Sequence, residues 1–133
     1  MRELVRTVEE SAPDAIAGLD PRVVTAEVYH PPETAHRRVL VMRRWPRGVA
    51  RQRVDEWLRD LAPSAPLLAA FRAQELAWSK FAPAYLAEIE GQQEVIDALA
   101  RRAAEGGVML LCGSHWPCHR GLLALRVHEA LAP

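Results

Sequence analysis

Two short apolar runs constrain this chain more than anything else in it. Arg38-Val39-Leu40-Val41-Met42 and Val108-Met109-Leu110-Leu111 are almost unbroken in apolar side chains, and both are too short for helices. A strand with one wet face alternates apolar and polar residues. A continuous run asks for cover on both faces. Punctuation bounds the runs: Arg43-Arg44-Trp45-Pro46-Arg47-Gly48 follows the first, and Gly106-Gly107 precedes the second.

Helices to supply that cover are written into the rest of the chain. Ser64 is placed to cap a helix through about Phe71, with Leu67, Leu68 and Phe71 on one face. A second pattern over 74–90 carries Leu76, Trp78, Phe81, Tyr85, Leu86 and Ile89. Pro83 lies inside it and predicts a break there, or a start just before it. Residues 92–104 give one stripe of Val95, Ile96, Leu99, Ala100 and Ala103, stopped by the two glycines. Residues 119–131 form a last helix with Leu122, Leu123, Val127, Ala130 and Leu131 inward. Val54, Trp57, Leu58 and Leu61 also stand at helical spacing, ahead of Pro63.

A further strand is expected over 22–29, from Val23, Val24, Val28 and Tyr29, closed by His30-Pro31-Pro32-Glu33. The order strand, strand, helices, strand, helix predicts an α/β fold: a small three-layer sandwich around a short, mainly parallel sheet. In it 39–42 and 108–111 lie side by side and parallel. The link from His30 to His36 is too short for a helical crossover. The first strand is therefore antiparallel or reached by an extended link. Leu4, Val5 and Val8 permit a short N-terminal helix, but Ser11-Ala12-Pro13-Asp14 and Asp20-Pro21 interrupt it. Residues 1–20 are expected as a weakly ordered extension and 21–133 as a single domain.

Composition narrows the function classes. The chain has 133 residues, half of them hydrophobic, enough for one core without disulfide staples. Lys+Arg and Asp+Glu both number 17, so bulk charge gives no reason to expect a nucleic-acid polymer as partner. Two cysteines make no disulfide framework. No apolar run approaches the ~20 residues of a membrane span, and residues 1–10 lack a signal-peptide core. The expectation is a cytosolic protein with reduced thiols and no membrane partner.

The residues that carry chemistry concentrate in Cys112-Gly113-Ser114-His115-Trp116-Pro117-Cys118-His119-Arg120, which leads from a strand into a helix. Ligands of parallel α/β sheets sit beyond the carboxyl ends of the strands. Two loops leave such ends here, after Met42 and after Cys112. If their strands are neighbours, one pocket receives residues from both.

The first reading is an anion site with a reactive thiol. Cys118 at a helix start is exposed to the field of free N–H groups, which favours thiolate. Cys118 is the candidate nucleophile, with His119 or His115 as proton carrier. Arg43, Arg47 and Arg120 are candidates to hold a phosphate or carboxylate, and Trp45 and Trp116 to stack on a ring. A tyrosine-phosphatase loop is excluded, because it needs Cys, five residues, then Arg. From Cys112 the sixth position is Cys118, and Arg120 is the eighth. A second reading is a metal site. Cys112, His115, Cys118 and His119 are four N/S donors of a kind that suits Zn²⁺ or Fe. Against it, neighbours 118 and 119 are expected to point apart at a helix start, and Cys112 to point into the core. No cofactor is firmly implied. Packing competes throughout: Cys112 is expected as a core residue, Trp45 and Trp57 as glue, and His119 and Arg120 as partners of strand-end carbonyls.

Several blocks resemble the DUF488 family, in its short bacterial branch. They are Arg43-Arg44-Trp45-Pro46-Arg47-Gly48, the stretch from Asp55-Glu56-Trp57 to Leu61-Ala62-Pro63-Ser64, Val28-Tyr29-His30-Pro31-Pro32, and the spaced Phe81 and Tyr85. The resemblance covers about residues 24–131. Cys112 with Cys118-His119-Arg120 is similar to a Cys…Cys-His-Arg signature of the longer members. The resemblance implies an α/β sandwich and no established activity. It also marks departures. Ser114 stands where the longer members carry Glu, and Met42 and His30 stand where short members carry acids. Glu27 replaces a usual basic residue. Acids are thus removed from the presumed site, and any mechanism that needs a carboxylate there is in doubt. The function expected from the sequence is a small enzyme with a Cys/His/Arg pocket, transferring or hydrolysing groups on a small anionic or nucleotide-like compound. The alternatives are a metal-dependent version and a ligand-binding module without catalysis.

Overall fold

The computed structural model describes residues 20–113 and 118–131. The expected N-terminal helix and most of the expected extension lie outside them, as do His115 and Trp116. Four strands form one all-parallel sheet: β1 (Val23–Glu27), β2 (Arg37–Leu40), β3 (Glu56–Trp57) and β4 (Val108–Cys112), in the order β1-β4-β2-β3. β4 is central and all five of its residues are buried, as its unbroken apolar run demands. The expected pairing is present, with Val39 opposite Leu110 and Leu40 opposite Leu111.

β1 is parallel, and the short link from it is extended. The link can be short because β1 and β2 are not partners: β4 inserts between them, pairing Glu27 with Cys112. The stretch expected at helical spacing over 54–61 is not a helix. It supplies the two-residue edge strand β3 and a 3₁₀ turn at Arg59–Leu61. Pairing with β2 and the hydrogen bond from Trp57 Nε1 to the Met42 carbonyl (2.7 Å) hold it extended.

The helices are α1 (Ala65–Arg72), α2 (Trp78–Ile89), α3 (Gln93–Gly106) and α4 (His119–Leu131). Ser64 caps α1 as expected, its hydroxyl accepting from Leu67 N. The α1 end is a Schellman turn: Gln74 N donates to Phe71 O and Glu75 N to Ala70 O. Gln74 occupies its left-handed position at φ 62°. That turn separates α1 from α2, so the second helical pattern begins at Trp78 rather than Gln74. Pro83 does not break α2. The donor it lacks would serve the carbonyl of Ser79, a residue on an exposed turn, where water can replace it. At the other junction Gly107 has φ 88°, and an added Cβ would stand 2.6 Å from the His36 ring. Only glycine lets α3 turn into β4 there.

Period-two alternation gives the sheet two apolar faces. Val23, Val39, Val108, Leu110 and Cys112 face the helices. Ala26, Leu40, Met109 and Leu111 face the other way, against Val49, Trp45 and Val54 of the β2–β3 crossover. The sandwich is therefore layered as helices, sheet and, among the described residues, irregular crossover chain. α4 packs on α2, α3, β1 and β4. Every residue from His119 to Leu125 is buried, as befits a central helix.

Candidate functional site

The site is built where β4 ends and α4 begins. Cys112 is the last residue of β4, on the helix-facing side with Val108 and Leu110. Cys118 immediately precedes α4 and is half-buried. The buried Arg120 braces the two ends, its Nη1 donating to the Gly113 carbonyl at 2.6 Å. Between the braced ends the two sulfurs lie 2.9 Å apart, within hydrogen-bonding reach of each other.

His119 stands against both sulfurs. Its Nε2 is 2.7 Å from the Val41 carbonyl, which can only accept, so Nε2 carries the proton. That leaves Nδ1 facing Cys118 Sγ at 3.6 Å and Cys112 Sγ at 3.7 Å. The expectation that residues 118 and 119 diverge is overturned. Cys118 lies ahead of the helix proper, so its side chain is free of the helical spacing that would part it from His119. Cys112 does reach the core, as expected of it, and still meets the other two. The hydrogen bond with Cys112, and then the His119 charge, hold the Cys118 thiol well below its usual range despite burial. The same shared proton, with burial, pushes Cys112 up. Burial pulls His119 down, but the Cys118 sulfur and the Val41 carbonyl outweigh it and raise it overall. The lowered Cys118 and the raised His119 both favour the charged form of that pair, while Cys112 is favoured as the protonated thiol.

Tyr85 was not singled out by chemistry in the sequence, yet it ties the site together. Its ring meets His119 edge-on at 5.3 Å between centroids, and its buried hydroxyl donates to the Leu61 carbonyl at 2.6 Å. The Leu61-Ala62-Pro63-Ser64 block is fastened twice more. Arg43 Nε donates to Pro63 O, and Ser64 N and Oγ donate to Glu88.

Above the thiols opens a cleft of about 1280 Å³ at the carboxyl ends of β2 and β4. Cys112, Cys118 and His119 form its floor, Phe71, Trp78 and Phe81 a wall, and Arg43, Arg44 and Arg72 its charged members. The wall follows from α2 spacing: Trp78, Phe81 and Tyr85 share one stripe. Phe81 stacks on Phe71 at 4.4 Å and near Trp78 at 5.5 Å. The indole N–H of Trp78 is buried with no partner among the described residues. No aspartate or glutamate lines the cleft among those residues.

The other sequence candidates fall as follows. Arg43 and Trp45 line the cleft. Trp45 is also glue: its Nε1 donates to Val49 O at 2.8 Å, its ring meets Trp57 edge-on, and Arg51 lies over it. Arg47 is exposed and outside the cleft lining. Arg120 bonds a strand-end carbonyl, as does His119. His115 and Trp116 lie outside the described residues. Of the four expected metal donors, Cys112, Cys118 and His119 lie within 4.8 Å of one another. Their chemistry suits Zn²⁺ or Fe. Arg72 and the aromatic wall escaped notice as a site. Their one sequence signal was an aromatic stripe, which reads equally well as core.

A small parallel α/β protein with an arginine-edged cleft over a Cys/His floor, free of acids among the described residues, is the class that fold and site define. Within that class the chain belongs to the DUF488 family, and residues 22–132 match the model of its inactive DUF488-N3 subclade. It is also similar to "Uncharacterized protein YeaO" of Escherichia coli (strain K12), 34% identical over 87 residues, which cover 63% of this chain and 76% of that one. No solved structure matches it. Among the described residues, no helix is long and apolar enough to cross a membrane.

Proposed function

We propose that this protein is a non-catalytic module that binds a small anionic ligand with a flat aromatic body, nucleotide-like in size and chemistry. The observation that carries the reading is the cleft lining: arginine and aromatic side chains, without a carboxylate among the described residues. Guanidinium groups of Arg43, Arg44 and Arg72 supply charge-assisted bonds to phosphate or carboxylate. Phe71, Trp78 and Phe81 offer apolar and aromatic area for a ring. The volume suits a ligand of nucleotide size. Among the described residues the cleft holds no carboxylate to share proton transfer or to stabilise a cationic transition state. The subclade's description as inactive fits that picture.

The test is equilibrium dialysis of the purified chain against nucleoside monophosphates, sugar phosphates and aromatic carboxylates. Each recovered compound is then analysed for chemical change. We expect saturable binding of a subset, strongest where ring and anion occur together, with the compound returned intact. Conversion of any of them, abolished by Cys118→Ser, would restore the transferase or hydrolase reading with Cys118 as nucleophile. Binding that requires a co-purifying stoichiometric metal would replace it with the metal-dependent one.

A further inference from the structure

We infer that Cys118 and Cys112 form a peroxide-responsive dithiol–disulfide pair, with Cys118 as the attacking sulfur and Cys112 as the resolving one. The inference stands apart from what the cleft binds. Three placements carry it. The sulfurs are 2.9 Å apart, so one can reach the other without rearrangement of strand or helix. Arg120 holds Gly113 from across the intervening loop, which keeps the strand end and helix start together while either sulfur reacts. His119 Nδ1 faces both sulfurs, with its tautomer set by Val41 O, so one proton carrier serves both steps.

Roles follow from position. Both sulfurs line the cleft, but Cys118 is the less buried. It sits at the N-terminal end of α4, a helix of 13 residues, where the backbone field favours thiolate. Cys112 is 6% exposed.

The chemistry balances in two steps. The Cys118 thiolate attacks the near oxygen of a hydroperoxide, R–O–OH. The O–O bond breaks, an S–O bond forms, and the alkoxide or hydroxide takes a proton from the His119 imidazolium, leaving sulfenic acid and ROH (water for hydrogen peroxide). Cys112 then attacks the sulfenic sulfur. Its proton passes to His119 Nδ1 and on to the departing hydroxide, which leaves as water while the S–S bond forms. Two thiols are oxidised by two electrons and one peroxide is reduced. A thiol reductant reverses the oxidation, itself becoming a disulfide.

The experiment treats the reduced full-length chain with less than one equivalent of hydrogen peroxide, denatures it in iodoacetamide, and reads intact mass and peptide connectivity. We expect each oxidised chain to lose two hydrogens, resist alkylation at both cysteines, and yield one intrachain peptide pair joining 112 to 118. Dithiothreitol should restore both thiols. Cys112→Ser should trap a dimedone adduct on Cys118, and Cys118→Ser should leave Cys112 unmodified. If Cys112→Ser does not fold, Cys112→Ala serves the same arm. His119→Gln should slow the peroxide reaction about tenfold, through loss of the proton carrier that faces both sulfurs. Four results would each overturn the inference. They are full alkylation of both cysteines after peroxide, a disulfide between chains, accumulation of Cys118 sulfinic acid beside a free Cys112, and a stoichiometric co-purifying metal that shields both sulfurs.

Discussion

The carboxyl ends of β2 and β4 lie side by side, and they are equipped in opposite ways. The β2 end supplies charge and aromatic area. Arg43, Arg44 and Trp45 stand partly or fully in solvent, and two of them also fasten neighbouring chain. The β4 end supplies soft, polarisable groups, with Cys112, His119 and Arg120 buried and bonded to one another or to strand-end carbonyls. One end is suited to recognise an anion and the other to react with an oxidant. A site that recognises through exposed arginines can lose its acids and still bind. A site that reacts through a buried thiolate needs its imidazole and its second sulfur held in place.

Tyr85 is where the two ends meet, so removing it should have the largest effect. Its ring supports His119 and its hydroxyl holds Leu61, which begins the block that Arg43 also grips. Tyr85→Ala should cost ~3–5 kcal/mol of folding stability in urea denaturation. Tyr85→Phe, which leaves only the Leu61 carbonyl unpaired, should cost ~1–3 kcal/mol. Equal losses for both variants would mean that the ring contributes nothing beyond its hydroxyl.

The charge on the β2 side should be separable from the thiols. Arg44→Ala should weaken dialysis affinity for an anionic ligand by about tenfold, the scale of one charge-assisted hydrogen bond. It should leave peroxide oxidation of Cys118 unchanged. Arg72→Ala should act likewise from the α1 side. A change in oxidation rate without a change in affinity would reverse the division of labour.

The β4 side makes a pH prediction. Because Cys118 is held below its ordinary range, its iodoacetamide reaction should stay fast as pH falls well below the ~8.5 of a free thiol, and fade only when the folded-state thiolate is protonated. In His119→Gln the midpoint should move up. The same sign holds for stability. The contribution of the Cys118 thiolate is full above ~8.5 and is lost as pH falls through the lowered folded value. A wild-type midpoint near 8.5 would remove the activated sulfur.

The smallest expected effect is at the cleft edge. Gln74 lines the cleft in a left-handed conformation that favours glycine. Gln74→Gly should therefore stabilise the chain by ~0.5–1 kcal/mol in thermal unfolding.

Much of this was legible in the sequence because it depends on local pattern. The apolar runs placed β2 and β4 together, Ser64 marked the start of α1, and the last helix began at His119 as expected. What escaped depends on contacts between distant segments. Nothing local says that β4 enters between β1 and β2, since the extended link tolerates either arrangement. β3 is too short to show a period. Pro83 reads as a breaker unless one knows that its turn is exposed. The thiol cluster was seen as a set of residues but misjudged as a shape, because helical spacing was applied to Cys118, which lies just before the helix. The aromatic wall was seen as core, which it also is.

The most direct measurement is the rate of Cys118 alkylation with and without a saturating amount of the tightest-binding nucleotide-like compound from the dialysis panel. If arginine edge and thiol floor belong to one cleft, bound ligand should slow alkylation saturably, with the same midpoint as dialysis, and Arg44→Ala should shift both midpoints together. An unchanged alkylation rate at full occupancy would contradict the account and place the ligand elsewhere on the molecule.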